Sequence, residues 1–244
     1  MLESGPLYYQ KRCCAWNQLT QPFDHREPRI EEVKEALNVI EHLNEGSDLE
    51  CVQKEGIKFT QSASMIGRID MSRCVMAGHS FGGITALQTA AADRRFTACV
   101  VQDAWMIPCD EGFEAEYPSI PRLFINTSKF QWDANFKKQT AVMKGKDEKY
   151  GRDNARMVAI CKSLHQNQSD LPLLYPALMR YMSMGGEIDA VKAAEMCVDA
   201  TLVFLRKYFN NDVIEKTKAA VESVLEGGPP TEVYPELVHG KTNE

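Results

Sequence analysis

The pentapeptide Gly78-His79-Ser80-Phe81-Gly82 places a serine between two glycines in the pattern G-x-S-x-G. A serine in this pattern sits on a sharp turn from a strand to a helix, where its hydroxyl projects as a nucleophile. An apolar run at 73–77 precedes the motif and a helix-like run at 82–93 follows it. This context favours a nucleophilic Ser80 over the alternative, a structural glycine turn. The amide of Phe81, at the helix start, is the candidate donor to an oxyanion.

A nucleophilic serine needs a histidine base and an orienting acid, which follow it along the chain in this arrangement. Asp103 comes directly after the β-rich run 96–102. The carboxyl ends of strands are where α/β proteins build their sites, so Asp103 is the predicted acid. Asp110 and Asp133 are alternatives farther along the chain, and a helix N-cap is the structural alternative for Asp103.

The chain order and the position along the chain together leave one candidate base among the five histidines. Two of the others precede the serine and one lies in the tail, namely His25, His42 and His239. His79 is the x residue of the motif, directly before Ser80, and we expect that its side chain cannot turn back onto Ser80 as its base. His165 lies in a loop shortly after the last predicted strand, 156–161, and is therefore the predicted general base.

The elements that must position these residues alternate along the chain. Strands are predicted at 73–77, 96–102, 122–126 and 156–161, and helices at 28–45, 82–93, 133–146 and 190–209. Such alternation predicts an α/β fold with a mostly parallel sheet and helices on both faces. We expect a single domain over residues 1–244, with a further short strand near Leu7–Gln10 and a loosely ordered tail at 226–244.

Composition excludes some classes of function and location. The formal net charge of −6 argues against nucleic-acid binding, which needs a clustered basic face. The sequence contains no run of 18 apolar residues, so no transmembrane segment is predicted. The start of the sequence has no signal-peptide pattern, which slightly favours a cytoplasmic location, with a secreted longer form as the alternative. The sequence makes no prediction of oligomeric state.

The eight cysteines form no C-x-x-C pair, so no zinc site is predicted. Buried free thiols in a reducing compartment are favoured over disulfides. The glycosylation triplets at Asn126 and Asn167 are weak evidence for secretion, because such triplets often arise by chance.

Three segments taken together resemble one family. GHSFGG at 78–83, QDAWMIP at 102–108 and SLHQNQSD at 163–170 closely resemble the platelet-activating-factor acetylhydrolases, both plasma and intracellular type II. The INTSKFQ run and the closing FLRKYF also look like that family. The resemblance covers residues 70–210 well and residues 1–69 poorly. The DAWM segment is more specific than the serine motif, because general lipases do not share it.

The resemblance implies an α/β-hydrolase fold and a calcium-independent serine esterase without metal or cofactor. Its substrates would be phospholipids with an sn-2 acetyl or a short or oxidised acyl ester, such as platelet-activating factor. By carry-over, Ser80, Asp103 and His165 match the family triad. The alternatives are a general carboxylesterase or lipase, and a catalytically silent homologue.

One departure from the family concerns the region before Ser80. Family members carry a His-Gly-type loop that supplies a second oxyanion amide, and no such motif precedes Ser80 here. We therefore expect the fold to be incomplete at its N-terminal side. We also expect this chain, expressed alone, to be poorly active or poorly soluble.

The implied partner is a phospholipid at a membrane or lipoprotein surface. Candidates for substrate contact are Trp105, Gln166, Leu178 and Met182. The last two belong to the apolar segment 171–184, where a helix is expected from Pro176. Two interpretations of this segment remain open: a core helix packed on the sheet, and an interfacial surface beside the active site.

Overall fold

The computed structural model describes residues 26–47, 65–109, 112–113, 117–145, 154–209, 219–232 and 234–242. The strands are β1 (Cys74–His79), β2 (Phe96–Gln102), β3 (Arg122–Thr127), β4 (Ala155–Ile160) and β5 (Leu237–His239). The helices are α1 (Arg26–Glu45), α2 (Phe81–Ala92), α3 (Asp133–Lys144), α4 (Leu171–Leu174), α5 (Pro176–Tyr181), α6 (Ala190–Tyr208) and α7 (Ala219–Leu225). Short 3₁₀ turns lie at Met71–Arg73 and His165–Gln168.

The strands form one sheet in the order β1-β2-β3-β4-β5. The pairs from β1 to β4 are parallel, and β5 runs antiparallel to β4. Parallel neighbours require a crossover connection, which α2 supplies between β1 and β2 and α3 between β3 and β4. The predicted mostly parallel sheet is confirmed.

Strand register brings the ends of the first three strands to one edge. Gln102 pairs with His79 of β1 and with Ile125 of β3. The residues that follow β1 and β2, Ser80 and Asp103, therefore leave the sheet at neighbouring positions. The sheet thereby assembles two of the predicted site residues at its carboxyl edge.

Helices cover both faces of the sheet, as the alternation predicts. Along β2, Cys99 and Val101 pack on one side, and Val100 packs on the other. The first side is covered by buried residues of α1, α2 and α3, including Leu37, Leu87 and Val142. The second side is covered by α6 and α7, including Met196, Phe204 and Val224. This period of two is the pattern of a strand buried on both faces.

Two predicted boundaries need correction. β1 continues to His79 instead of ending at residue 77, because Gly78 and His79 still pair with β2. The expected loose tail at 226–244 is wrong in part, because β5 adds to the sheet there and buries Leu237 completely. The strand expected near Leu7–Gln10 lies outside the described residues. Among the described helices, none combines the length and apolar character needed to cross a bilayer.

Candidate active site

Ser80 lies at the turn between β1 and α2 in a strained backbone conformation. Its φ of 59° and ψ of −122° are unusual for a non-glycine residue, and such strain costs on the order of 1–3 kcal/mol. Backbone bonds hold the turn: the Ser80 amide donates to the Gln102 carbonyl, and its own carbonyl accepts from the amides of Gly83 and Trp105, each at 3.0 Å. The Ser80 side chain makes no capping bond to α2, so the helix end does not occupy the hydroxyl.

Two of the three glycines around Ser80 are required by close packing. A Cβ atom on Gly78 would overlap the carbonyl of Gly82, where the strand and helix cross. A Cβ on Gly83 would come within 2.8 Å of the Cα of Ala104. Nothing lies near the equivalent position on Gly82. The turn from β1 to α2 that carries Ser80, here called the elbow (residues 78–83), therefore depends on Gly78 and Gly83 for its geometry.

Asp103 is completely buried just beyond β2, with a φ of 42°. Its Oδ1 accepts from the Thr127 amide and its Oδ2 from the Thr127 hydroxyl, both at 2.6 Å. Oδ2 also lies 2.9 Å from His165 Nδ1. A buried carboxylate is stable only when donors replace its water, and these contacts supply them. No helix begins in residues 104–106, so the N-cap alternative is wrong.

His165 stands on the 3₁₀ turn after β4, half-buried, as the loop position predicts. Because an ionised carboxylate only accepts, Nδ1 carries the proton toward Asp103, which leaves Nε2 unprotonated as the predicted base requires. Asn167 anchors the loop: its Oδ1 accepts from the Leu164 amide at 2.8 Å and its Nδ2 donates to the Gly185 carbonyl at 2.9 Å. The ring of Phe130 stacks on His165 at 4.2 Å and 12°.

The alternative acids and bases are not in this site, where the structure describes them. Asp133 is a fully exposed side chain at the start of α3, paired with Lys241. His42 is exposed on α1, and His239 on β5 contacts the Val224 carbonyl. Asp110 and His25 lie outside the described residues.

The predicted substrate contacts fall into two groups. Trp105 is half-buried beside the elbow, with its ring 6.1 Å from that of Phe81. Gln166 is half-buried next to His165, and its carbonyl accepts from the Ser169 hydroxyl at 2.8 Å. Leu178 and Met182 are about half exposed on and just after α5. Their contact with substrate remains a prediction.

The two glycosylation triplets are inaccessible in this fold. Asn126 is fully buried and donates to Gln139 at 2.8 Å, and Asn167 is buried with both ends of its amide bonded. Neither side chain exposes at the surface the amide nitrogen to which a glycan would be attached. Among the described cysteines, Cys99, Cys109 and Cys197 are buried, as predicted, whereas Cys74 and Cys161 are only partly buried.

Three residues of this site escape a search for triad members in the sequence. Thr127 donates twice to the acid, Phe130 stacks on the base, and the His79 ring lies 4.3 Å from that of His165. Thr127 ends β3, so its place at the carboxyl edge was available as a signal. Phe130 and His79 gave none, because ring contacts depend on how the loops fold back.

Solved structures show the fold. A ferulic acid esterase from Streptomyces cinnamoneus superposes with a TM-score of 0.58 at 17% sequence identity, over 88% of this chain and 55% of that one. The mostly parallel sheet with helices on both faces is accordingly that of an α/β-hydrolase.

Curated relatives and a family profile show the family. Platelet-activating factor acetylhydrolase of Gallus gallus is 30% identical over 86% of this chain and 48% of its own length. The protein of the same name from Canis lupus familiaris is 32% identical over 82% of this chain and 42% of its own. This chain thus spans about half the length of these relatives. The family model for platelet-activating factor acetylhydrolase, isoform II, matches residues 17–226, and the chain belongs to that family.

Proposed function

We propose that this protein is a calcium-independent serine esterase that removes the sn-2 acetyl or short or oxidised acyl group of phospholipids such as platelet-activating factor. The observation that carries the proposal is the bond from His165 Nδ1 to the buried Asp103, at the sheet edge that also bears Ser80. Membership of the acetylhydrolase family supports the substrate class.

In the proposed reaction, Ser80 Oγ attacks the sn-2 carbonyl carbon while His165 Nε2 takes the hydroxyl proton. Asp103 keeps the imidazole in the required tautomer and stabilises the imidazolium. The new Oγ–C bond persists in an acyl-enzyme as the ester bond to glycerol breaks, and the lysophospholipid leaves with the proton from His165. Water, deprotonated by His165, then cleaves the acyl-enzyme and releases the short acid. No metal or organic cofactor takes part.

Oxyanion stabilisation is assigned to the amide of Phe81. Phe81 is the first residue of α2, and first-turn amides point out of a helix end with a partial positive charge. One such donor typically accounts for about a hundred- to a thousandfold in rate. The second donor is not assigned to any residue of this chain.

Exposed apolar side chains beyond the base support a lipid substrate. They form a surface we call the apolar patch, made of Leu171, Leu173, Leu174, Tyr175, Leu178, Tyr181 and Met182. Tyr181 is 89% exposed and Leu174 66%, whereas Met179 is 4% exposed. The interpretation of this segment as a core helix is therefore wrong, except for Met179 and the buried Pro172.

The position of the apolar patch suits an interfacial surface. α4 begins six residues after His165 and packs against its 3₁₀ turn. Arg180 is the one charged residue of segment 171–184. A phospholipid hydrolase must draw its substrate from an aggregate, and Tyr, Leu and Met are suited to the headgroup boundary. We assign the apolar patch to that contact.

A nearby cation also favours phospholipid over a neutral ester. The guanidinium of the exposed Arg29 lies 5.0 Å from the ring centre of Phe81, next to the nucleophile. A positive charge at this point would attract the phosphate of a phospholipid.

Organophosphate labelling and ester hydrolysis test the proposal together. We expect a fluorophosphonate probe to label the wild-type chain and the Ser223→Ala control, since Ser223 is exposed on α7, but not Ser80→Ala. Before it reacts with the probe, the wild-type chain should release acetate from platelet-activating factor, in the presence of a calcium chelator, faster than it releases long acyl chains, and labelling should abolish both activities. Labelling with equal rates on both lipids would indicate a general lipase. Absence of labelling would indicate a silent homologue.

A further inference from the structure

His79 occupies an unexpected place beside the proposed base. Its ring centre lies 4.3 Å from that of His165, with an angle of 31° between the planes. Donor atoms of His79, Asp103 and His165 all lie within 4.8 Å of one another. A histidine directly before the proposed nucleophile thus lies beside Asp103 and His165 without being the predicted base.

The chemistry of these donors disfavours a shared metal ion. Asp103 Oδ2 is engaged by both the Thr127 hydroxyl and His165 Nδ1, and Oδ1 by the Thr127 amide. A metal ligand must offer an unoccupied lone pair, whereas His165 Nδ1 carries the proton that it donates to Asp103, and the Asp103 carboxylate already accepts from three donors. The proximity of His79 to this pair calls for a different account.

Electrostatics keep His79 neutral next to the base. Burial lowers the pKa of His79 from its ordinary value of 6.5, and the nearby His165 lowers it further. Asp103 and a backbone hydrogen bond with His165 act in the opposite direction without reversing the result. A neutral ring can pack on His165 without like-charge repulsion when His165 takes up the proton from the nucleophile.

A second ring contacts the same imidazole. Phe130 is stacked nearly parallel on His165 at 4.2 Å, close to the separation of His79. One face of a five-membered ring has no room for two rings at this distance, so the two contacts occupy its two faces. We infer that His79 is a positioning residue, which together with Phe130 brackets the imidazole of His165 and fixes its orientation toward Asp103 and Ser80.

The two ring contacts restrict the rotation of the His165 imidazole, which the hydrogen bond to Asp103 alone does not. His165 is half-buried in a loop, and the bond to Asp103 leaves the ring free to rock about it. Small misplacements of a catalytic group cost rate, with about a hundredfold for a shift of about 1 Å. This inference rests on the proposed esterase function, but the orientation of His165 is measurable without turnover.

Substitutions that keep or remove the ring test the inference. We expect His79→Ala and His79→Gln to lower kcat by about ten- to a hundredfold with little change in KM, whereas His79→Phe retains most of kcat. The matched control is His42→Ala, since His42 is exposed on α1, and it should match wild type. Melting temperatures of the variants identify any that fail to fold, and His79→Gln, which keeps much of the volume, then replaces His79→Ala.

Proton NMR supplies a readout independent of turnover. The Nδ1 proton between His165 and Asp103 should give a far-downfield resonance in wild type and His79→Phe, broadened by solvent exchange in His79→Ala and His79→Gln. An unchanged resonance and unchanged kcat in the folded ring-free variants would overturn the inference, as would loss of all activity in folded His79→Phe. If wild type hydrolyses no ester, the proposed function fails while the NMR pattern still decides the positioning role.

Discussion

Two regions of the molecule depart from ordinary burial in opposite directions. One is the hydrogen-bonded network of Asp103, Thr127 and His165, and the other is the apolar patch. Asp103 and Thr127 are polar and completely buried, whereas Leu174 and Tyr181 are apolar and mostly exposed. Burying a carboxylate requires replacement donors, and leaving apolar area in water gives up the free energy of burial. Each arrangement costs stability, which is the reason to look for a function in both regions. From this comparison we propose that the buried region orients a catalytic group and that the exposed region meets the lipid.

The largest expected effect lies in the buried region. Asp103→Asn should lower kcat by about 10⁴-fold, because the amide favours the wrong tautomer of His165. Steady-state hydrolysis of a soluble short-chain ester measures it. Asp133→Asn is the matched control, because Asp133 is fully exposed and was the alternative acid. Equal losses in both variants, or none in Asp103→Asn, would remove Asp103 from the triad.

A smaller loss of kcat is expected at Thr127, which contacts Asp103 and not the proposed base. Thr127→Val removes the hydroxyl that donates to Asp103 Oδ2 at 2.6 Å and leaves the backbone donor in place. Losing a donor to a buried charge costs about 1–3 kcal/mol, so we expect kcat to fall and the urea midpoint to drop. Thr201→Val, which removes only a bond along α6, is the control. If the two variants behave alike, the network does not depend on Thr127.

In the exposed region, the expected effect is on binding and not on stability. Leu178→Ser with Met182→Ser should weaken binding to phosphatidylcholine liposomes by about tenfold or more, because burial of one such side chain is worth about 1.5–3 kcal/mol. The melting temperature should hardly change, since both side chains are about half exposed. Co-sedimentation with liposomes measures the first quantity and calorimetry the second.

The control for the apolar patch is an exposed apolar residue elsewhere. Val198 on α6 is exposed to a similar degree, and Val198→Ser should leave liposome binding unchanged. A large drop in melting temperature with unchanged binding in the patch variant would show that the segment supports the core and not an interface.

The smallest effect concerns pH and the ring of His79, which lies beside His165 in the buried region. Because the pKa of His79 is lowered in the folded state, the unfolded chain binds more protons as the pH falls through about 6.5. The contribution of His79 to stability therefore falls as the pH drops from about 6.5 toward its lowered folded pKa, and it stops changing below that pKa. His79→Phe lacks this group, so its urea midpoint should change less than that of wild type between about pH 7.5 and about pH 5.5. An identical change in both proteins would contradict the lowered pKa.

The sequence alone predicts the triad because each member is tied to a local pattern. Ser80 lies in a glycine-bounded motif, and Asp103 directly follows a run that forms β2 as expected. His165 is the histidine left after the chain order is applied and His239 is set aside because it lies in the tail. The alternation of elements likewise predicts the parallel sheet, since its period of two and its helical periods are local properties.

Only the tertiary structure shows which groups hold the triad in place and which apolar side chains stay exposed. Thr127, Phe130 and His79 reach Asp103 and His165 across separations of 24 to 86 residues, and no local pattern encodes a contact of that range. The segment 171–184 is equally apolar whether it faces the core or water. Its two short helices, α4 and α5, bury Met179 and leave Tyr181 outside, because exposure depends on what packs against a helix and not on its composition.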